Sequence, residues 1–173
     1  MSVSELKHKF TTWWRDLADA DHDGLNRNRA QMAHLQRLRL TEYGDVSEPD
    51  VIKAFGIDAF KTLHAIIKPP REHEADLVVV AYVLGHIRKT SDQHPAAALG
   101  QGDPPRMNAT AFTSLMRSET TGQLFEHARR IAALLEQSAH VGELSASLYL
   151  WRRAPHIRRE WARAYYGLDT YGF

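Results

Sequence analysis

The apolar run LVVVAYVLGHI at residues 77–87 restricts the fold of this chain more than any other stretch. Its β-branched residues are compatible with a buried strand, but the run is longer than a usual strand and no second run could pair with it. We therefore predict a helix within residues 72–90 that is apolar on every side. Since such a helix must be enclosed by other elements, it predicts the centre of a hydrophobic core.

Amphipathic helices are predicted on both sides of this run. Apolar residues recur at helical spacing from Leu6 to Leu17, and Ser2 with Glu5 has the spacing of a capping box before them. Proline and glycine residues separate several of the later periodic segments. Further helices are predicted at residues 25–40, between 47 and 56, around 60–67, 112–116 and 124–135, and over 143–153 and 156–166.

One segment of the chain has the composition of a linker or long loop. Residues 91–107, SDQHPAAALGQGDPPRM, collect glycine, proline and polar residues. The predicted fold class is all-α, with two small helical bundles joined by this Gly/Pro-rich loop. The predicted organisation is an N-terminal helical subdomain at 1–92, the linker or long loop at 93–107 and a C-terminal helical subdomain at 108–173.

The charge of the chain is nearly balanced, with 22 Lys and Arg against 21 Asp and Glu, so a polyanionic partner would have to bind a local patch. Residues 25–40 offer one, because they carry Arg27, Arg29, Arg37 and Arg39 without an acidic residue. Charge-balanced helix faces usually mix both signs. Guanidinium groups are always charged and match the geometry of phosphate oxygens, so this pattern favours a phosphate backbone as ligand.

The arginines of the C-terminal half allow a second interpretation. Glu126 lies four residues before Arg130, so the arginines of that helix could simply pair with acidic neighbours on a solvated face. Trp161 belongs to the apolar side of the last predicted helix, which indicates a core residue and not a platform for stacking bases. A helical protein–protein adaptor, whose arginines contact acidic protein surfaces, therefore stays open beside nucleic-acid binding.

Metal-binding and catalytic motifs are missing or incomplete in the sequence. The loop DADHDG at residues 19–24 matches the first half of a calcium loop, but Ala30 stands where the bidentate glutamate is required. There is no cysteine, and none of the ten histidines falls in a His-Glu-x-x-His motif. We therefore predict no metal, no cofactor, no catalytic residue and no small-molecule substrate. A histidine–carboxylate pair assembled in space is the enzymatic alternative.

The predicted location is the cytoplasm. The first residues, MSVSELKHKF, lack the apolar stretch of a signal peptide, and the apolar run at 77–84 is too short to span a bilayer. The lack of cysteine suits a reducing compartment. We therefore expect a soluble protein without a membrane partner.

Several helix motifs occur in an order and at a spacing that together resemble one known family. The motifs are Phe10-x-x-Trp13-Trp14-x-x-Leu17, Arg29-Ala30-x-Met32, Ser47-Glu48-Pro49-Asp50, Phe112-x-x-Leu115-Met116-Arg117, Leu124-Phe125, Arg129-Arg130-Ile131 and Arg158-Arg159-x-Trp161-Ala162-Arg163-x-Tyr165-Tyr166-Gly167. They cover nearly the whole chain. The chain resembles the CasB family, the small subunit of the type I-E CRISPR Cascade surveillance complex.

The resemblance implies a non-catalytic, all-helical subunit that assembles with other Cascade subunits and with a second copy of itself. It also implies contacts with the guide RNA and with single-stranded DNA, the displaced strand, through an arginine-lined groove that stabilises the R-loop. The contacts it implies are Arg37, Arg117, Arg129, Arg130, Arg152 and Arg153, with Arg27, Arg29 and Arg159 in second rank.

The chain departs from the family pattern at two places in this groove. Many members carry an arginine pair just after the position of Met32, where this chain has Ala33 and His34, and Arg37 one turn later takes the place of that pair. A second arginine is often found where this chain has Ala111. The predicted groove therefore draws mainly on the C-terminal arginines.

Overall fold

The computed structural model describes residues 1–18, 25–40 and 48–168, and the side chains of 25–27 are outside that description. The calcium-like loop at 19–24 lies outside the described residues. So does Ser47, the predicted start of the third helix.

The described residues form ten α-helices and one sheet of two short strands, which confirms the predicted all-α class. The helices are α1 (Val3–Ala18), α2 (Leu25–Gln36), α3 (Glu48–Phe55), α4 (Asp58–Ile67), α5 (Glu74–Leu84), α6 (Pro95–Gly100), α7 (Ala109–Met116), α8 (Thr121–Leu134), α9 (Val141–Leu150) and α10 (Pro155–Tyr165). Strand β1 (Lys89–Thr90) pairs in parallel with β2 (Ser138–Ala139). A 3₁₀ turn at Arg71–His73 leads into α5.

Helix α5 lies in the core, as the apolar run predicts. All of its residues after the first are buried, and it packs against α8 and α9. The chain turns at Gly85 and becomes extended in β1, where the backbone N–H groups of Arg88 and Lys89 both donate to the carbonyl of Gln137, at 2.8 and 3.0 Å. No helix in the described ranges is long and apolar enough to cross a membrane.

Helix α1 is fixed to the core by its two tryptophans. One half of the predicted capping box is confirmed, since the hydroxyl of Ser2 accepts a hydrogen bond from the backbone N–H of Glu5 at 3.1 Å. The indole N–H groups of Trp13 and Trp14 each donate to a backbone carbonyl at 3.0 Å, the first in α4 and the second just after α5. These bonds satisfy two buried donors and attach α1 to the segments it packs on.

The segment at 93–107, predicted as a linker or long loop, contains helix α6. The ring nitrogen Nδ1 of His94 accepts the backbone N–H of Ala96 at 3.1 Å, and Pro95 follows at the first helical position. Helix α6 packs on α10, and a Cβ at Gly100 would lie 2.3 Å from the carbonyl oxygen of Tyr165. The glycine therefore permits the close approach of the two helices.

The helices on the two sides of 93–107 contribute to one cluster of buried apolar side chains. Helix α1 packs on α9, and α5 packs on α8 and α9, so contacts cross the predicted boundary. The division into subdomains at 1–92 and 108–173 stays a prediction. The shared core holds the arginine-bearing helix ends in fixed positions relative to one another.

Candidate nucleic-acid interface

Arg152, just after α9, faces into the protein. Its Nε and Nη2 donate to the two carboxylate oxygens of Asp76 at 2.9 and 3.1 Å. The side chain of Asp76 is only 1% exposed. This geometry is the two-pronged arginine–carboxylate pair that gives the strongest side-chain hydrogen bonds. The guanidinium is therefore directed at a buried carboxylate, and its contact with nucleic acid stays a prediction.

Arg153 is exposed and lies against Tyr149. Its Nη2 donates to the backbone carbonyl of Tyr149 at 2.6 Å, and its guanidinium carbon lies 4.4 Å from the centre of that ring. Burial raises the pKa of the Tyr149 hydroxyl. The arrangement positions the guanidinium at the end of α9, where part of it faces solvent.

Arg158 and Arg159 point in different directions although they are neighbours in the sequence. Arg158 donates to the carbonyls of Met116 and Ser118 at 3.1 and 2.8 Å, so it provides hydrogen-bond donors for two backbone carbonyls at the end of α7. Arg159 is exposed on α10. Trp161 is fully buried, which confirms its prediction as a core residue.

The arginines of α7 and α8 lie on exposed surfaces. Arg129 is 3.5 Å from the carboxylate of Glu126, a distance that gives a weak, solvated ion pair. Arg130 is exposed near His127, whose ring contacts the hydroxyl of Ser114 at 3.3 Å. Burial, and then the charge of Arg130, lower the pKa of His127. Arg117 is exposed at the end of α7.

The two arginines that follow α2 border a shallow depression of about 210 Å³. Arg37, Arg39, Lys53 and His34 line it, together with the buried carboxylate of Asp50. Arg37 and Arg39 are both exposed, as the acid-free sequence predicts. Three cations around one depression give a local positive potential in a chain of almost zero net charge.

Arg29 and Arg27 extend this region along α2. Arg29 is exposed. The side chain of Arg27 lies outside the described residues. The prediction for Arg27 therefore concerns a side chain that the structure does not describe.

The basic region continues from Arg39 across the end of α5. The guanidinium of Arg39 lies 5.8 Å from the ring centre of Tyr82, and the ring of His86 lies 4.9 Å from the same ring. Arg88 follows on an exposed position. Burial lowers the pKa of His86, and the charges of Arg88 and then Arg39 lower it further. Two arginines from different segments therefore act on one imidazole.

Helix α8 borders the same surface. The ring of Phe125 packs against Tyr82 with 4.8 Å between ring centres. Arg129 lies one turn after Phe125 on the same side of α8. Because α5 and α8 lead into the paired parallel strands β1 and β2, both helices run toward the same end of the molecule. We infer from these helix directions that Arg129 is on the side of His86, and we define the Tyr82 face as Arg37, Arg39, Tyr82, His86, Arg88 and Arg129.

The comparison with family models identifies the chain. The model of CRISPR-associated protein Cse2 matches residues 31–166, which is most of the sequence. The chain belongs to the Cse2 family. This confirms the CasB resemblance, since Cse2 is the same family, and Cse2 proteins are Cascade subunits in CRISPR defence. Searches of curated proteins and of solved structures gave no match.

The structure of this Cse2 chain separates the predicted contact residues into groups. Arg37 and Arg129 lie on the Tyr82 face. Arg117 and Arg130 lie along α7 and α8. The pair Arg152 and Arg153 follows α9, and Arg152 is anchored on Asp76 at the start of α5, whereas the Tyr82 face lies at the end of α5.

Three members of the Tyr82 face are absent from the contacts predicted from the sequence. They are Tyr82, His86 and Arg88, and Arg39 is predicted only as part of the acid-free helix. The sequence does contain a signal, because Tyr82 and His86 stand four residues apart and Arg88-Lys89 is a basic pair that directly follows the buried helix. The proximity of this pair to Arg39 depends on tertiary packing.

Histidine–carboxylate pairs in this Cse2 chain join separate parts of the fold. The closest is His64 Nε2 with Glu74 Oε1 at 3.0 Å, which ties α4 to α5. The adjoining cavity is lined by Phe55, Phe60 and Lys61 besides this pair, with no hydroxyl nucleophile among the described lining residues. In the part of the chain that the structure describes, no group of three His, Asp or Glu side chains could hold a metal ion.

Proposed function

We propose that this Cse2 chain is the non-catalytic small subunit of a type I-E Cascade complex and binds the guide RNA and target region and the displaced DNA strand. The Tyr82 face is the observation that supports this proposal. It combines cations from the segments that follow α2 and α5 with Arg129 of α8 on one surface. In the proposed complex these contacts stabilise the R-loop. The subunit would act in the cytoplasm together with the other Cascade subunits and a second copy of itself.

The expected mode of binding is contact with phosphates. Arg37, Arg39, Arg88 and Arg129 are exposed and charged, whereas Tyr82 is only 6% exposed and is too enclosed to stack on a base. The face therefore has the chemistry to neutralise a backbone and lacks groups for reading base edges. Sequence recognition would be left to pairing with the guide RNA.

The other predicted arginines have different places in the proposal. Arg117 and Arg130 are exposed and would extend the phosphate contacts along α7 and α8. Arg153 and Arg159 are exposed but lie outside the Tyr82 face. Arg152 is left out, because its release from Asp76 would leave a buried carboxylate without its strongest partner.

A titration of labelled single-stranded DNA with the protein at 50 to 200 mM salt tests the proposal. Phosphate neutralisation predicts that the affinity falls by at least about tenfold over this range. The alternative, a helical adaptor that contacts only protein, predicts no salt-sensitive affinity. The titration is made with the isolated chain and with the reconstituted complex, so that contributions of neighbouring subunits are separated from those of this chain. Lack of binding in both would overturn the proposal.

A further inference from the structure

A groove with a volume of about 430 Å³ runs beside Phe55. It lies between α3, the 3₁₀ turn before α5 and the start of α8. A second depression of about 290 Å³ adjoins it, because both are lined by Phe55 and Glu74. We define the Phe55 groove as Glu48, Val51, Phe55, Glu72, Glu74 and Glu119. The two adjoining depressions together form a surface on which a segment of another chain can lie.

The Phe55 groove is negatively charged. Glu48, Glu72 and Glu119 are exposed, and within the described residues their carboxylates have no ion-pair partner. The other acidic residue of the groove, Glu74, is paired with His64. Two arginines also border the groove: the charge of Arg152 is compensated by Asp76, and the exposed Arg71 stands against the three unpaired glutamates. The groove therefore attracts cations and repels phosphate, in contrast to the Tyr82 face.

The groove also has an exposed apolar component on α3. Phe55 is 37% exposed, and its ring packs by one side on Phe60 and His64. Ile52, one turn earlier on the same helix, is 58% exposed. Exposed large apolar side chains beside a groove are typical of a contact surface for another protein. Unpaired carboxylates around such a centre select a partner that carries positive charge beside an apolar side chain.

We propose that the Phe55 groove binds a segment of another protein subunit of the complex in which an arginine or lysine stands next to an apolar residue. The apolar side chain packs on Val51 and Phe55, and the cation lies among Glu48, Glu72 and Glu119. The groove is at the start of α5 and the Tyr82 face is at its end. The protein contact and the nucleic-acid contact are therefore separate, and the proposal for the groove does not depend on the proposed nucleic-acid binding.

Photo-crosslinking in the reconstituted complex tests which molecule occupies the groove. Benzoylphenylalanine replaces Ile52, which is exposed and beside the groove, so the substitution leaves the core intact. The expected result is a crosslink to a different protein subunit, and mass spectrometry of the product should find a basic residue beside the attachment point. A crosslink to nucleic acid, a crosslink to a second copy of this chain, or no crosslink would overturn the proposal.

Isosteric neutralisation of the groove gives an independent measurement. The triple variant Glu48→Gln, Glu72→Gln and Glu119→Gln keeps the shape of the groove and removes its unpaired charge. We expect the affinity of this variant for the other subunits to fall by about tenfold or more, which corresponds to about 1.4 kcal/mol. Its affinity for single-stranded DNA should not fall.

A matched control removes the same number of charges elsewhere. The substitutions Glu5→Gln, Glu136→Gln and Glu160→Gln affect exposed glutamates outside the groove. This control should assemble like the wild type, and thermal unfolding should show that both triple variants are folded. Equal assembly of the groove variant and the control would refute the proposal. Loss of DNA binding alone in variants of the Tyr82 face would leave the groove proposal unaffected.

Discussion

The guanidinium of Arg152 is joined to the carboxylate of Asp76 by two hydrogen bonds of 2.9 and 3.1 Å, although the residues are 76 positions apart. The pair connects the end of α9 to the start of α5, the buried helix of the core. It also explains how an arginine from a basic doublet can be part of the interior. The neighbouring Arg153 remains exposed beside Tyr149.

Substitution of Arg152 by alanine should destabilise the fold. It leaves the carboxylate of Asp76 buried without its main partner, a change that costs about 3 kcal/mol or more. Urea unfolding measures the loss. Arg153→Ala serves as the control, and we expect it to cost about 1 kcal/mol, since only an exposed cation–π contact and one hydrogen bond are lost. Normal stability of Arg152→Ala combined with weaker DNA binding would show that Arg152 is a nucleic-acid contact instead.

A methyl group at Gly100 should disturb the packing of α6 on α10. The added Cβ would lie 2.3 Å from the carbonyl oxygen of Tyr165, so the helices must separate. Overpacking of this kind costs about 1 to 3 kcal/mol, which differential scanning calorimetry detects as a lower melting temperature. Gly56→Ala is the matched control, because its nearest neighbour is at an ordinary 3.4 Å. Equal melting temperatures for the two variants would contradict the close approach of α6 and α10 at Gly100.

Arg158 and Arg159 should respond differently to removal of their side chains. Arg158→Ala leaves the carbonyls of Met116 and Ser118 without their donor, and we expect a loss of about 2 kcal/mol in the free energy of unfolding. Arg159→Ala removes an exposed side chain and should change stability by less than about 0.5 kcal/mol. Guanidinium chloride unfolding of both variants provides the comparison. A larger loss of stability for Arg159→Ala than for Arg158→Ala would contradict the assignment of Arg158 as the hydrogen-bonded arginine.

The two histidines with lowered pKa values predict a pH dependence of stability. Burial holds the pKa of His86 and of His127 below the ordinary value of 6.5, so the folded protein binds fewer protons than the unfolded chain just below that pH. Their contribution to stability is therefore complete above about pH 6.5 and is lost as the pH falls below it. Chemical unfolding measures the free energy of unfolding at pH 7.5 and at pH 5.5. The double variant His86→Gln with His127→Gln should lose less of this free energy between the two pH values than the wild type.

An exposed histidine supplies the control for this pH dependence. His8 lies on the surface of α1. The variant His8→Gln should therefore lose as much free energy of unfolding between pH 7.5 and 5.5 as the wild type. The interpretation fails if the double variant and His8→Gln lose stability equally between the two pH values.

The helices of the core could be predicted from the sequence because their signals are local. The run around Val79 has no polar side to expose, and the periodicity of α1 with its cap at Ser2 depends on residues a few positions apart. Helix α6 is missed by the predicted loop because it is only 6 residues long and lies among Gly and Pro residues. What stabilises it is packing on α10, which local sequence does not encode.

The candidate site could be predicted only in its chemistry. The acid-free arginines of residues 25–40 indicate a cationic surface, and Arg37 and Arg39, which follow the end of α2 at Gln36, are indeed exposed. Sequence spacing could not show that Arg152 is paired with Asp76, or that Arg39 reaches the ring of Tyr82, because each contact joins segments far apart in the chain. Adjacent arginines such as those at 158 and 159 look equivalent in the sequence and differ only through packing.

The salt dependence of single-stranded DNA binding tests the central claim, that the Tyr82 face contacts phosphate. Two triple variants are compared. The face variant carries Arg37→Gln, Arg88→Gln and Arg129→Gln. The control variant carries Arg153→Gln, Arg159→Gln and Arg163→Gln, which remove three charges outside the face. Loss of three phosphate contacts should reduce the slope of log affinity against log salt by about 2 for the face variant. The other variant should keep a slope close to that of the wild type. A reduced slope only in the second variant, or the same slope in both, would contradict the account.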